Sequence, residues 1–238
     1  MTKNSLCQAG PLVLFLCLGA FAGQPAPQEQ TSGSKARLFV AEFRDKSAGG
    51  SLDLLCMQQF NMSWKAIGEG MRDMMTTALF KTDRFQVVER DQLAEIVREQ
   101  DLAASANAQK PTEPAVGAIQ TADLMVLASV TEFDSGEKGV KGTVNIGGFK
   151  VGGKAAKAHM AIDVRVIDVK TSQIVAATTI EGSGSLIGVQ SPQDPWGALP
   201  PTLDAFSKTP LEKALRSCIQ KSVQYICDHT PAEYFRYK

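Results

Sequence analysis

Polar and apolar positions begin to alternate in recognisable periods at residue 35. Lys35 to Phe43 (KARLFVAEF) is dense in aromatic and branched side chains and predicts a strand. Residues 44–62 follow without a period; they contain the apolar patch Leu52, Leu54 and Leu55 and read as irregular. From Trp64 to Phe80 the period changes: Trp64, Ile67, Met71, Met74, Met75, Ala78 and Leu79 recur three and four residues apart, behind Ser63 as a cap. Phe85 to Glu89 predicts a short strand, and Asp91 is placed to cap a second helix carrying Leu93, Ile96 and Val97. An Ala/Asn/Pro linker over 103–117 leads to Leu124–Phe133, apolar enough for a strand covered on both faces.

The second half is the more regular. Met160, Ile162, Val164 and Val166 alternate with Asp163 and Arg165, and a polar turn over Lys170–Gln173 joins this strand to Ile174–Ile180 as a hairpin. Thr209 and Glu212 stand as a capping box around Pro210, and Leu211, Ala214, Leu215, Cys218, Ile219, Val223 and Ile226 form one helical stripe. A βαβα start, three longer strands and a terminal helix define an α/β domain over 35–238: a mixed sheet flanked by helices, with an inserted glycine-rich β-hairpin.

That insertion occupies residues 134–157. A turn at Gly147-Gly148 pairs Ile146 with Phe149, Val144 with Val151, Gly142 with Gly153 and Val140 with Ala155 on one face. Lys141, Asn145, Lys150 and Lys154 fall on the other, with Thr143 and Gly152. One face is apolar or small and the other cationic. Such a ribbon either crosses a bilayer within a barrel built from several copies or folds its apolar face onto its own domain. A second insertion, 181–208, carries Pro192, Pro195, Pro200 and Pro201 and reads as a Pro/Gly loop, because proline removes ladder donors.

Ahead of the domain, Lys3 and the twelve-residue apolar run Pro11–Ala22 read as a signal peptide cleaved after Ala22. The run is too short for a spanning helix. A lipidated Cys17 is the competing reading, against which Leu16 is bulky where a small residue belongs. Residues 23–34 (GQPAPQEQTSGS) form a flexible tether. Export places Cys56, Cys218 and Cys227 in an oxidising compartment. Cys218 and Cys227 lie on opposite sides of one helix, so a disulfide would join Cys56 to Cys218 or Cys227; three buried thiols are the equal alternative.

Composition then removes whole classes of function. Twenty-five basic and 25 acidic side chains balance, which argues against a nucleic-acid partner held by phosphate neutralisation. Two histidines exclude a multi-histidine metal centre. Gly182-Ser-Gly184 has the wrong spacing for a dinucleotide loop and no helix behind it, and Gly152-Gly153-Lys154 lacks the frame of a P-loop. No carboxylate stands at a telling distance from a nucleophile, so neither enzyme activity nor a cofactor is expected.

Ile67–Leu79 (IGEGMRDMMTTAL), Arg84–Gln100 (RFQVVERDQLAEIVREQ) and Ala122–Phe133 (ADLMVLASVTEF) are followed in order by Val164–Ile174 and the Pro210–Ile226 helix. Together, from about Leu38 to Ile226, they resemble the curli assembly and transport (CsgG) family, whose founding member is an outer-membrane secretion channel. The resemblance implies an α/β periplasmic domain, a ring of identical subunits, an envelope or secreted protein as cargo, and membrane hairpins after the strands ending at Phe133 and Ile180. It also implies a constriction, for which this chain offers Phe60 and Asn61. On that basis Val140, Val144, Ile146, Phe149 and Val151 are expected to face lipid, and Lys141, Asn145, Lys150 and Lys154 the lumen. The expected function is an oligomeric, non-enzymatic part of an outer-membrane secretion apparatus in the envelope of a Gram-negative-type cell. The alternative is a soluble periplasmic scaffold without a pore, binding partners through the Met/Trp-bearing helix.

Overall fold

The computed structural model describes residues 34–47, 52–105, 118–134, 157–185 and 199–237 with their side chains, and 140–146 and 149–155 as backbone. The expected signal peptide, nearly all of the tether and the Gly147-Gly148 turn lie outside the described residues.

Eight strands are present among these residues: β1 (Ala36–Val40), β2 (Arg44–Asp45), β3 (Phe85–Val87), β4 (Leu124–Asp134), β5 (Val140–Ile146), β6 (Phe149–Ala155), β7 (Lys157–Asp168) and β8 (Ile174–Ser185). The main sheet runs β3-β1-β4-β7-β8, with β2 alongside β4. β3 and β4 are parallel to β1, while β4–β7 and β7–β8 are antiparallel. The sheet is thus mixed, and α2 (Trp64–Lys81) and α4 (Pro210–His229) pack against it and against each other. β5 and β6 form a separate two-stranded ladder in the register Val140↔Ala155 to Ile146↔Phe149.

Alternation in β7 does what the pattern dictates: Met160, Ile162, Val164 and Val166 are fully buried, and Asp163 accepts a 2.7 Å hydrogen bond from Thr179 Oγ1 outside. Ser63 caps α2 by accepting from the Ala66 N–H at 3.3 Å, and Met71, Met74 and Met75 are core residues. Those methionines therefore cannot serve as the docking strip of the scaffold alternative. In β4 the expectation of two covered faces is corrected. Leu124, Val126, Ala128 and Val130 are buried, but Met125 and Leu127 on the other face are only half so, because both large helices pack on one side.

Residues 44–62 are not irregular throughout: Leu52–Phe60 is a helix, α1. Asp45 Oδ2, seven residues upstream, accepts from the Leu52 N–H, and Asn61 ends the helix in the left-handed region at φ 53°, where its own N–H reaches the Met57 carbonyl. Asp91 does not cap α3 (Leu93–Ala104); Arg72 takes its carboxylate, and Glu89 Oε1 accepts from the Asp91 and Gln92 N–H groups instead. The capping box at α4 is half formed. Thr209 Oγ1 accepts from the Glu212 N–H, while Glu212 reaches past Thr209 to the Lys208 N–H and to Arg216.

The two described ends of the second insertion, 181–185 and 199–208, belong to the body. β8 continues to Ser185, and Pro201–Phe206 is a 3-10 segment whose Leu203 and Phe206 are fully buried. Two glycines permit this. A methyl group at Gly182 would sit 2.6 Å from Cys218 Sγ, and one at Gly184 would fall on the Pro210 carbonyl oxygen, so α4 lies directly on the end of β8.

The disulfide from Cys56 to Cys218 or Cys227 is not formed: all three are buried free thiols. Each faces a different neighbourhood. Cys56 is pushed up to about 11 by burial and by Asp53 and Asp45, and Cys218, whose thiol donates to the Met160 carbonyl at 3.4 Å, is raised by burial to about 12. Burial also raises Cys227, beside Thr82 and Arg84.

Candidate functional site

Two regions bear on function, the base of the inserted ladder and a cleft where the parallel strands β1 and β3 end. The ladder interrupts the chain between β4 and β7, which are neighbours in the body. At its base Asp134 pairs across from His159, and His159 Nε2 lies 3.1 Å from Glu132 Oε2. Phe133 meets Phe60 edge-on at 6.5 Å between centroids, and Phe60 meets Phe206 edge-on at 4.8 Å. This aromatic chain ties the last turn of α1 and the 3-10 segment to the root of the insertion.

Phe60 and Asn61 are therefore brought next to the insertion, a proximity that nothing in their sequence spacing announces. The two residues are presented differently. Phe60 is half-buried against its own subunit's core, whereas Asn61 is exposed on a left-handed turn. For the residues expected to face lipid or lumen, the structure gives the pairing alone: Val144 with Val151, Ile146 with Phe149, Asn145 with Lys150, Lys141 with Lys154.

The cleft, about 460 Å³, opens where the parallel strands β1 and β3 end, between Phe39, α2 and the turn before α3. Sequence reasoning missed it because its lining comes from three separated segments. Charge dominates that lining, and its cations are engaged. Arg72 donates twice to Asp91, at 2.7 and 2.8 Å, and Lys65 lies 4.0 Å from Glu69. Arg90 donates to the carbonyls of Glu89 and Gln120. Partial burial pulls Arg72 down, but Asp91 and then Asp73 outweigh it and leave the guanidinium above its ordinary range.

Neither histidine reaches this cleft. His159 is held by Glu132, and His229 stacks on Tyr225 with centroids 4.0 Å apart. Among the described residues no group of histidine, cysteine and carboxylate side chains could hold a metal ion, and no helix is long and apolar enough to cross a membrane.

A mixed sheet with two packed helices, and a two-stranded ladder inserted between adjacent strands, defines an α/β domain adapted by insertion. The chain belongs to the curli production assembly/transport component CsgG family, whose model matches residues 22–234. No curated protein matches it in sequence. Among solved structures it is similar to the hypothetical protein CT253 from Chlamydia trachomatis, at 15% identity over 82% of this chain and 99% of that one, with a TM-score of 0.41. Protein XCC0632 from Xanthomonas campestris is 12% identical over 82% and 86%, with a TM-score of 0.42. The PelC dodecamer from Paraburkholderia phytofirmans is 12% identical over 79% and 86%, with a TM-score of 0.38.

Proposed function

We propose that this protein is a non-enzymatic subunit of an outer-membrane secretion or assembly apparatus of the curli-transport type. It acts as a ring of identical copies that passes or receives an envelope or secreted protein. The α/β body forms the periplasmic ring, and each copy contributes the 140–155 ladder to a shared barrel. Val140, Val144, Ile146, Phe149 and Val151 face lipid, while Lys141, Asn145, Lys150 and Lys154 line the lumen. Asn61, held at the root of the insertion beside Phe60, narrows the ring.

The observation that carries this reading is the β5–β6 register itself, within a family of transport components. It pairs apolar with apolar or small residues and lysine with lysine or asparagine at alternate positions, the two-faced pattern of a barrel wall. A lone ribbon would leave its edges unpaired in hydrocarbon, so copies must close on one another. A tilted spanning strand needs roughly 9 to 11 residues, and the seven-residue arms must therefore draw in the positions flanking the ladder.

One observation favours the soluble scaffold as a second reading. Leu203 and Phe206 bury the C-terminal end of the second insertion in the body, where the resemblance would have a second membrane hairpin. Deleting residues 136–157 and fractionating cells separates the readings. A barrel subunit moves from the outer membrane to the periplasmic fraction, whereas a scaffold is periplasmic before and after.

A further inference from the structure

The main sheet ends on β8, a twelve-residue strand with no strand on its outer side among the described residues. An unpaired edge of that length is a template for another strand, from a second copy or from an extended segment of any client. The side chains of α4 occupy it. Tyr225 Oη donates to the Ala177 carbonyl at 2.8 Å, Lys221 Nζ to the Glu181 carbonyl at 2.7 Å, and Lys213 Nζ to the Ser185 carbonyl at 3.1 Å. These acceptors are four residues apart. Carbonyls an even number of residues apart point the same way along a strand, so all three lie on one edge. The β7 backbone fills the other edge, and an ammonium group could not enter between the two strands.

We infer that α4 is an edge lock, closing β8 against strand addition by capping its outward carbonyls from a helix laid along it. The glycines make the lock possible. With no Cβ at 182 or 184, the helix comes close enough for two lysines and a tyrosine to fold over the strand's rim. Between these caps the Thr178 hydroxyl donates to the Thr179 carbonyl, occupying a further acceptor of the same parity. The opposite end of the sheet is guarded differently. β3 is three residues long, and Phe235 packs over Phe85 beside Arg84. Contacts with other copies or clients therefore run through faces, loops or the inserted ladder, and not through either edge of the body sheet.

The test uses a fluorescent peptide of residues 174–185 as a strand probe, titrated into the full chain and followed by anisotropy. Wild-type protein should not bind it. The variant Lys213→Met, Lys221→Met, Tyr225→Phe keeps the apolar stems and removes the donors. It should bind roughly a hundredfold tighter, since three carbonyls return to the edge and each offers about one net hydrogen bond. It should also show new hydrogen-exchange protection of the β8 amides when the peptide is present. Should the triple variant fail to fold, Lys221→Met and Tyr225→Phe are read singly, with Lys221→Arg, which keeps its donors, remaining closed. The inference is overturned if a folded variant binds the peptide no better than wild type, or if wild type already binds it.

Discussion

Arg72 and Asp91 meet in a two-pronged ion pair, Nη1 to Oδ1 at 2.7 Å and Nη2 to Oδ2 at 2.8 Å. The pair fastens the middle of α2 to the turn that launches α3 and forms one wall of the charged cleft. Only 15% of the Arg72 side chain is exposed, against 44% for Asp91, so the guanidinium is the more committed partner. Arg72→Lys keeps the charge and loses the fork. It should cost about 1 kcal/mol, at the upper end for a partly exposed pair, because the bidentate geometry is held by packing. Urea unfolding reads the loss, and hydrogen exchange should quicken in the first turn of α3. An unchanged midpoint with unchanged exchange would show that the α3 turn is held by Glu89 alone.

Gly182 and Gly184 set the distance between α4 and β8. Gly182→Ala brings a methyl group onto the Ala214 carbonyl and the Cys218 thiol, and Gly184→Ala brings one onto the Pro210 carbonyl. Backbone atoms cannot swing aside as a side chain can, so each substitution should destabilise by about 2–3 kcal/mol. The double variant Gly182→Ala, Cys218→Ala tests the cause. Removing the sulfur relieves one clash and leaves the other, so melting temperature should recover only in part. Full recovery would place the whole effect on the thiol.

The same glycines show where sequence reasoning stops. Stripe and alternation in α4 and β7 were legible because each residue's burial follows from its neighbours three, four or two positions away. Gly182-Ser-Gly184 instead reads as a break, although the strand runs through it, because glycine's use here depends on a helix thirty residues downstream. α1 was hidden for the opposite reason. LDLLCMQQF is apolar around most of its circumference and has no period, and its N-terminal cap, Asp45, is remote. Asp91 looked like a helix cap until Arg72, nineteen residues earlier, claimed it. At the candidate site the ladder's pairing followed from two adjacent glycines, whereas the closeness of Phe60 to Phe133 is a product of tertiary packing alone.

A pH-sensitive clasp joins the C-terminal segment to the end of β7. Tyr234 Oη donates to Asp168 Oδ2 at 2.6 Å. That bond first, and the Thr171 N–H second, hold the Asp168 carboxyl below the usual carboxylate range. Burial first, then Asp168, pushes Tyr234 up to about 12. For the lowered acid, the stabilisation is complete above its unfolded value near 3.9 and disappears as pH falls through the folded value. For the raised phenol, it is complete below about 10 and is lost as pH rises towards 12. Tyr234→Phe should remove a tyrosinate absorbance component near pH 12 and move the Asp168 carboxyl resonance titration upward. If that titration stays where it was, the Thr171 backbone bond is what lowers Asp168.

The lysines of the inserted ladder offer the sharpest test of the pore reading, because lipid and lumen impose opposite demands on charge. In a barrel wall, Val144→Lys with Val151→Lys puts cations against hydrocarbon, at about 2–4 kcal/mol each near the midplane, and should prevent recovery with outer membranes. Lys141→Glu, Lys150→Glu and Lys154→Glu together leave the apolar face intact and should insert normally. In planar bilayers the glutamate variant should then reverse an anion preference into a cation preference, because a ring of identical copies multiplies each substitution around the lumen. A ribbon folded on its own body predicts otherwise. Neither set would change fractionation, and the valine variants would instead lower the melting temperature by uncovering the face beneath. Recovery of the wild-type chain with periplasm, joined to that thermal loss, would sink the barrel and leave the scaffold.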